Sequence, residues 1–267
     1  MRERILMFFR LSTFWLVVVL FVVVIGAVAA GMVIGRWIRS RSDAHRESVG
    51  VVQGTLLGLV GLLLAFGLTM AVGRYEARRG LVVQEANDIG TTYLRAQLLA
   101  EPTRTTSLTL LRRYADVAID FADEVPDTRR FDDDIVQIAG IQRELWAVAG
   151  DAVRADPLGT APRLYIETLN TMIDTHTSRT SSLRNRVPDT VVLLQVVGSA
   201  VALGVLSLYL ALLGRGVITS LTAAAIVILV LFISFDLDRP QRGFITVPYA
   251  PLVTARAAME QPPAAGP

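Results

Sequence analysis

The sequence contains no cysteine and no lysine, and only two histidines, His45 and His176. Without cysteine there is no disulfide framework, no thiol nucleophile and no thiolate metal site. Without lysine there is neither a phosphate-loop lysine nor a Schiff-base lysine; all 26 basic residues are arginine. Two imidazoles are too few for most histidine-built metal centres, and no cofactor is implied. Charge is scarce as well, with 19% of residues charged and a net charge of +2. The arginines are spread among acids rather than striped, which argues against nucleic acid as a partner. There is no G-x-S-x-G, no H-E-x-x-H, no G-x-G-x-x-G after a strand and no pair of acids with a cleft. The chain therefore does not read as an enzyme.

What is present is hydrophobicity, 52% of residues, gathered into four runs. The stretch from Gly50 to Ala100 organises the rest. It begins as GVVQGTLLGLVGLLLAFGLTMAVG, with no ionisable side chain from Val51 to Gly73, and about 20 apolar residues suffice to cross a bilayer core. It continues without a breaker into a segment carrying Arg74, Glu76, Arg78, Arg79, Glu85 and Asp88. Those charges place the second half in water. There Val82, Ala86, Ile89, Tyr93, Ala96 and Ala100 recur at steps of four and three, an apolar seam on one helical face. The spacing predicts one long helix that leaves the membrane and joins a soluble bundle.

The first run, Phe14 to Gly35, follows a basic head. A signal peptide is one reading, with Ala27-Val28-Ala29 as a loose cleavage site. Such cores are about 7–15 residues long, and this run is long enough to span, so a retained anchor is the stronger reading. A short polar connection follows, in which His45 reads as a solvated loop residue. After Glu101-Pro102 breaks the second helix, three amphipathic stretches run from Leu111 to Val125, Phe131 to Val148 and Ile166 to Val187. The last opens near Pro162, where proline suits a first helical turn. Such seams predict an antiparallel helical bundle over 74–188, with His176 and Thr180 in the final seam as satisfied core residues. Asp132-Asp133-Asp134 stand at a helix start, where acids suit the dipole. Two more runs, Thr190 to Leu213 and Val217 to Phe235, are joined by Gly214-Arg215-Gly216 into a hairpin ending in FDLDRPQRG, where Pro240 stops the helix.

The expected fold is thus all-α, with four transmembrane helices and an extramembrane bundle continuous with spans two and three. Residues 1–73 hold the N-terminal tail and two spans, 74–188 the bundle, and 189–243 the hairpin with its motif. Residues 244–267 form a Pro/Ala-rich tail, disordered at its end. Four spans put both termini and the bundle on one side. Near span ends that side carries Arg2, Arg4, Arg10, Arg74, Arg78, Arg79, Arg179, Arg184, Arg186, Arg239 and Arg242, against Arg36, Arg39, Arg41, Arg46 and Arg215 on the other. Positive charge favours the cytoplasm, although the bundle's own six arginines supply the whole difference. The expected address is a multi-pass inner-membrane protein with termini and bundle in the cytoplasm.

Gly31 and Gly35, Gly54 and Gly58, Gly198 and Ala202, and Ala200 and Gly204 place small residues four apart in the spans. Small side chains let helix backbones approach closely, within one four-helix unit or between subunits. No Asp, Glu, Arg or His interrupts a span, unlike coupled transporters, which need such groups at membrane depth. Gln53, Thr55, Thr69 and Gln195 are expected to hydrogen-bond between helices. In an oligomer whose second spans line a pore, Leu59, Leu63, Phe66 and Met70 would share one face as a hydrophobic constriction of the kind that gates by dewetting. An ordinary lipid-facing stripe is the alternative. Asp236 and Asp238 fall at the same surface as Arg74, Arg78 and Arg79, which predicts ion pairs across helix ends. Interfacial arginines are also expected to meet anionic lipid.

Several of these features together resemble the bestrophin-like domain family, bacterial membrane proteins mostly without assigned function. They are the second span running into Arg74 with the later Glu85-Ala86-Asn87-Asp88, the approach from Arg184 to Pro188, and FDLDRPQRG from Phe235 to Gly243. The resemblance covers roughly residues 50–245, and its tail motif is the most distinctive part. It implies kinship with bestrophins, pentameric anion channels with four spans, cytoplasmic helices and a pore lined by the second span. No residue here matches a bestrophin calcium-binding acidic cluster or an aromatic pore neck, so no functional residue is carried over. The expected function is a homo-oligomeric passive channel for chloride or another small anion. The rival is a non-conducting scaffold or sensor whose bundle binds a partner protein.

Overall fold

The computed structural model describes residues 13–39, 46–126, 128–214 and 216–262; His45, Arg215 and the end of the tail lie outside them. Every regular element among the described residues is an α-helix. In order these are α1 (Thr13–Arg39), α2 (Arg46–Ala96), α3 (Thr103–Asp123), α4 (Arg129–Ala155), α5 (Thr160–Arg184), α6 (Asp189–Leu212), α7 (Val217–Leu237) and α8 (Ala250–Ala258). Helices α1, α6, α7 and the first part of α2 are long and apolar enough to cross a membrane. At 51 residues and about 1.5 Å per residue, α2 is roughly 75 Å long, more than twice the roughly 30 Å of a bilayer core. It is one helix because nothing from Val51 to Ala96 breaks it: its glycines are isolated, and proline first appears at Pro102.

The chain divides into two compact units, one of residues 1–74 and 186–245, the other of 75–185 and 246–267. In the first, Leu16 and Leu20 of α1 meet Val60 and Leu64 of α2, Val192 and Ala202 of α6, and Leu231 and Phe235 of α7. Val24 and Val28 continue the α1 contribution against Leu203, Leu206 and Ala224. The first hydrophobic run is thus built into the four-helix unit, as a retained anchor requires. A Cβ on Gly31 would lie 2.0 Å from the Gly204 carbonyl oxygen, and one on Gly35 2.5 Å from that of Leu208. Backbone therefore meets backbone between α1 and α6, the close approach that small residues permit. The α6–α7 turn is tight because Gly214 and Gly216 adopt φ of +76° and +108°, a region that costs glycine little.

The second unit is the bundle. Val82, Ala86, Ile89 and Tyr93 of α2 bury their seam against Tyr114 and Phe121 of α3, Ile138, Ile141 and Leu145 of α4, and Tyr165, Leu169 and Met172 of α5. Thr128 starts α4 by accepting the Phe131 N–H at 3.3 Å, and Asp132 stands in the first turn, where a negative charge complements the dipole. Between α5 and α6 four residues, Asn185 to Pro188, are not helical.

The tail carries an element that the sequence reading did not place. Helix α8 has Pro251 in its first turn and buries Leu252 and, just past its end, Met259 in the bundle core. The Tyr93 hydroxyl donates to the Met259 carbonyl at 2.9 Å, and Arg112 Nη2 donates to the same oxygen at 3.0 Å. Arg256 Nε pairs with Asp116 at 2.7 Å. Proline- and alanine-rich composition masked a helix that long-range contacts hold in place.

Candidate functional site

The membrane half of α2 has two faces. Val60, Leu64, Gly67 and Ala71 are buried in the unit, and Gln195 of α6 donates through Nε2 to the Leu63 carbonyl at 3.2 Å. A Cβ on Gly67 would lie 1.6 Å from that nitrogen, so the glycine makes room for a buried amide crossing between helices. The opposite half of the circumference is uncovered. Leu59 is 54% exposed, Phe66 60% and Met70 39%, while Leu63 is half-buried. Beside them, no atom of another helix lies within 4 Å of where a Cβ on Gly54 or Gly58 would stand.

The remaining small residues face inward to different degrees. Gly204 lies against the Ala27 carbonyl, where a Cβ would stand 3.2 Å from the oxygen, and a Cβ on Gly198 would stand 3.5 Å from Val60 Cγ2. Ala202 is buried and Ala200 half-buried. Of the polar side chains in the spans, Thr55 and Thr69 donate to the Val51 and Ala65 carbonyls of their own helix, at 3.1 and 2.9 Å. They do not bond between helices as expected. A hydroxyl reaches the carbonyl one turn back without leaving its own helix, whereas the longer Gln195 amide reaches a neighbour.

At the charged end of the same unit, Asp236 accepts the backbone N–H groups of Phe244 and Ile245 at 3.1 and 2.8 Å. A Cβ on Gly243 would stand 2.4 Å from its Oδ1. Asp238 Oδ2 accepts the Val187 N–H at 2.8 Å. The FDLDRPQRG motif thus folds back on its own carboxylate and ties the start of α6 to the end of α7. Within the bundle unit, Arg78 donates to the carbonyls of Ser182 and Asn185 at 3.3 and 2.8 Å, closing the open C-terminus of α5. Arg79 approaches Glu76 at 3.7 Å on the surface, and Arg74 is half-buried.

The bundle core contains a polar cluster. Glu85 is fully buried on α2 and accepts from Arg179 Nη1 of α5 and from the Tyr114 hydroxyl of α3 at 3.2 Å. His176 Nδ1 lies 2.8 Å from the same carboxylate, and Thr180 Oγ1 3.4 Å from His176 Nε2. The Arg179 guanidinium sits 5.2 Å above the Phe121 ring. Burial by itself pushes the Glu85 carboxyl up, but the Arg179 charge and the His176 and Arg179 hydrogen bonds outweigh it and bring it down to about 2. Burial and the Glu85 charge push the Tyr114 phenol well above its ordinary value. One turn on, Asp88 accepts from Thr175 and Gln84 at 2.7 and 2.8 Å. The arrangement fastens three helices together. Among the described residues no group of three or more acids and histidines is placed to hold a metal ion.

Comparison with known proteins fits this architecture. The family model of the Bestrophin-like domain matches residues 8–252. The chain belongs to that family. A solved structure of a point mutant of a bacterial bestrophin homolog from Klebsiella pneumoniae has a similar fold. Its TM-score is 0.65 at 13% identity, over 88% of this chain and 97% of that one. At that identity the likeness speaks for the fold alone. No curated protein matches.

For this bestrophin-like chain the Glu85 cluster is the main feature that sequence reasoning missed. Glu85, Asp88 and Arg78 were expected in water, and all three are buried. The signal was present in the spacing. Glu85 lies three residues after Val82 and four before Ile89, on the seam, and His176 and Arg179 are three apart on the facing helix. A buried acid needs such a partner, but no single helix reveals which side chain supplies it.

Proposed function

We propose that the chain assembles into a homo-oligomeric passive channel for chloride or another small anion, with the second spans around the axis. The observation that carries this is the uncovered half of α2, where Gly54 and Gly58 meet nothing within 4 Å beside the bulky, exposed Leu59 and Phe66. Leu59, Leu63, Phe66 and Met70 then form a hydrophobic constriction that gates by dewetting. Spans without ionisable residues suit a path that does not couple to protons. The bundle and termini face the cytoplasm of a cell membrane, by the arginine bias.

Purified protein in planar bilayers tests this. The expected result is a conductance whose reversal potential follows the anion gradient, from an oligomer whose mass in detergent is a multiple of 29.0 kDa. A monomer, or an assembled oligomer silent across voltages, refutes it. In the second case the scaffold reading takes over, with Trp146 (44% exposed) and Val136 (69%) on α4 as the apolar surface for a partner.

A further inference from the structure

A cavity of about 200 Å³ lies where the C-terminal end of α1 meets the α6–α7 turn, away from the exposed α2 face. Arg36 and Arg39 line it together with Ser207, Gly216, Val217 and Ser220, and no acidic residue is among its described lining. Ser207 and Ser220 are fully buried, and neither hydroxyl has a hydrogen-bond partner among the described residues. Thr55 and Thr69 return their hydroxyls to their own helix, as serine and threonine in membrane helices commonly do. Ser207 and Ser220 do not. Ser199 and Ser234 share that condition, but neither lines this cavity.

The other walls also favour an anion. Helix α7 begins here behind Gly216, which offers no side-chain cap, so its first-turn N–H groups and positive dipole end stand at the wall. A Cβ on Gly214 would lie 2.5 Å from Arg39 Nη1, so the bare turn lets that guanidinium lie against it at the rim. Two planar guanidinium forks, two hydroxyl donors and a helix N-terminus together match a tetrahedral oxyanion.

We propose that this cavity binds a phosphate group, carried either by inorganic phosphate or by the phosphodiester of a lipid headgroup. The inference stands whether or not the protein conducts. The test uses full-length protein purified without phosphate, with two variant pairs, Arg36→Gln/Arg39→Gln and Ser207→Ala/Ser220→Ala. The alanine pair removes donors from helices without adding bulk. Broadening of the inorganic phosphate line in phosphorus NMR reports the free ion. Retention of phosphatidylglycerol over diacylglycerol, which lacks the phosphodiester, in native mass spectrometry reports the lipid. Either signal in the native protein, weakened about tenfold or more by each pair, supports the site and identifies the carrier. Two results overturn it: no binding of either probe, or binding that the serine pair leaves unchanged, which reduces the site to surface charge. Monodisperse elution and native helical content are required of each variant.

Discussion

Replacing Glu85 by glutamine tests the central statement about the bundle. The side chain is fully buried and receives hydrogen bonds from Arg179 and Tyr114, with His176 alongside. Glutamine keeps the shape and one acceptor but removes the charge that compensates Arg179, itself 3% exposed. Removing one partner of a buried ion pair costs about 3–5 kcal/mol, because the other charge stays buried. The expected effect lies at the lower end of that range, since glutamine still accepts one bond. Amide hydrogen exchange of full-length protein, read on peptides from α5, measures it locally. At 1.36 kcal/mol per tenfold change, exchange should quicken on the order of a hundredfold. A double variant, Glu85→Leu with Arg179→Met, removes both charges and should be less destabilised than Glu85→Gln alone. Exchange within about threefold of native for Glu85→Gln would refute the reasoning, as would a double variant that costs the sum of its parts.

The same carboxylate makes the bundle acid-sensitive. Its folded value of about 2 lies below the ordinary 4.5, so its stabilisation is complete above pH 4.5 and is lost as pH falls towards 2. The difference corresponds to roughly 3 kcal/mol, and thermal midpoints should fall less in Glu85→Gln than in native protein over that window. Gly31→Val, which sets a Cβ 2.0 Å from the Gly204 carbonyl, should cost about 3 kcal/mol or more, read as loss of folded protein by fluorescence-detected size exclusion. Gly54→Val should leave protomer stability within about 0.5 kcal/mol and lower the assembled mass in detergent. Gly67→Ala should destabilise the membrane unit by displacing Gln195, and the pair Gly67→Ala/Gln195→Ala should recover part of the lost melting temperature. Tyr93→Phe should cost about 1 kcal/mol and quicken exchange in α8 several-fold, since Arg112 still holds the Met259 carbonyl.

What the sequence made legible was set by short-range periodicity. The four spans follow from uninterrupted apolar runs. The bundle seams follow from three–four spacing, so Ile89, Tyr114, Leu145 and Leu169 were placed in a core that the structure confirms. The α6–α7 hairpin followed from Gly214 and Gly216, and the structure gives both a positive φ. Long-range satisfaction was not legible. Charge was read as exposure, yet Glu85 is paired across 94 residues with Arg179, and pairing across such separations leaves no periodic trace. Asp236 was expected to meet arginine, and both of its oxygens also serve the Phe244 and Ile245 backbone. Helix α8 escaped because a nine-residue helix is too short to be stable alone, and its partners Tyr93, Arg112 and Asp116 lie far back in the chain.

The surfaces of the spans differ in a way that bears on assembly. The outward residues of α1 include Phe21, Val22, Val33 and Ile34, and those of α7 include Ile218, Leu221, Ile226 and Leu229, all large and exposed. Bulky aliphatic and aromatic groups of that kind cover a helix backbone against hydrocarbon. On α2 the exposed surface is split, with Leu59, Leu62, Phe66 and Met70 along one edge and Gly54, Gly58, Gly61 and Ala65 along the other. Acyl chains gain little from a bare strip of backbone, whereas a second helix gains close van der Waals contact there. Between α1 and α6 the protomer already uses glycine in this way, at Gly31 and Gly204. In the proposed oligomer Gly54, Gly58 and Gly61, which meet no neighbouring helix within the protomer, would meet another copy, and a ring of such contacts would turn the adjacent bulky edge of each α2 towards a common axis.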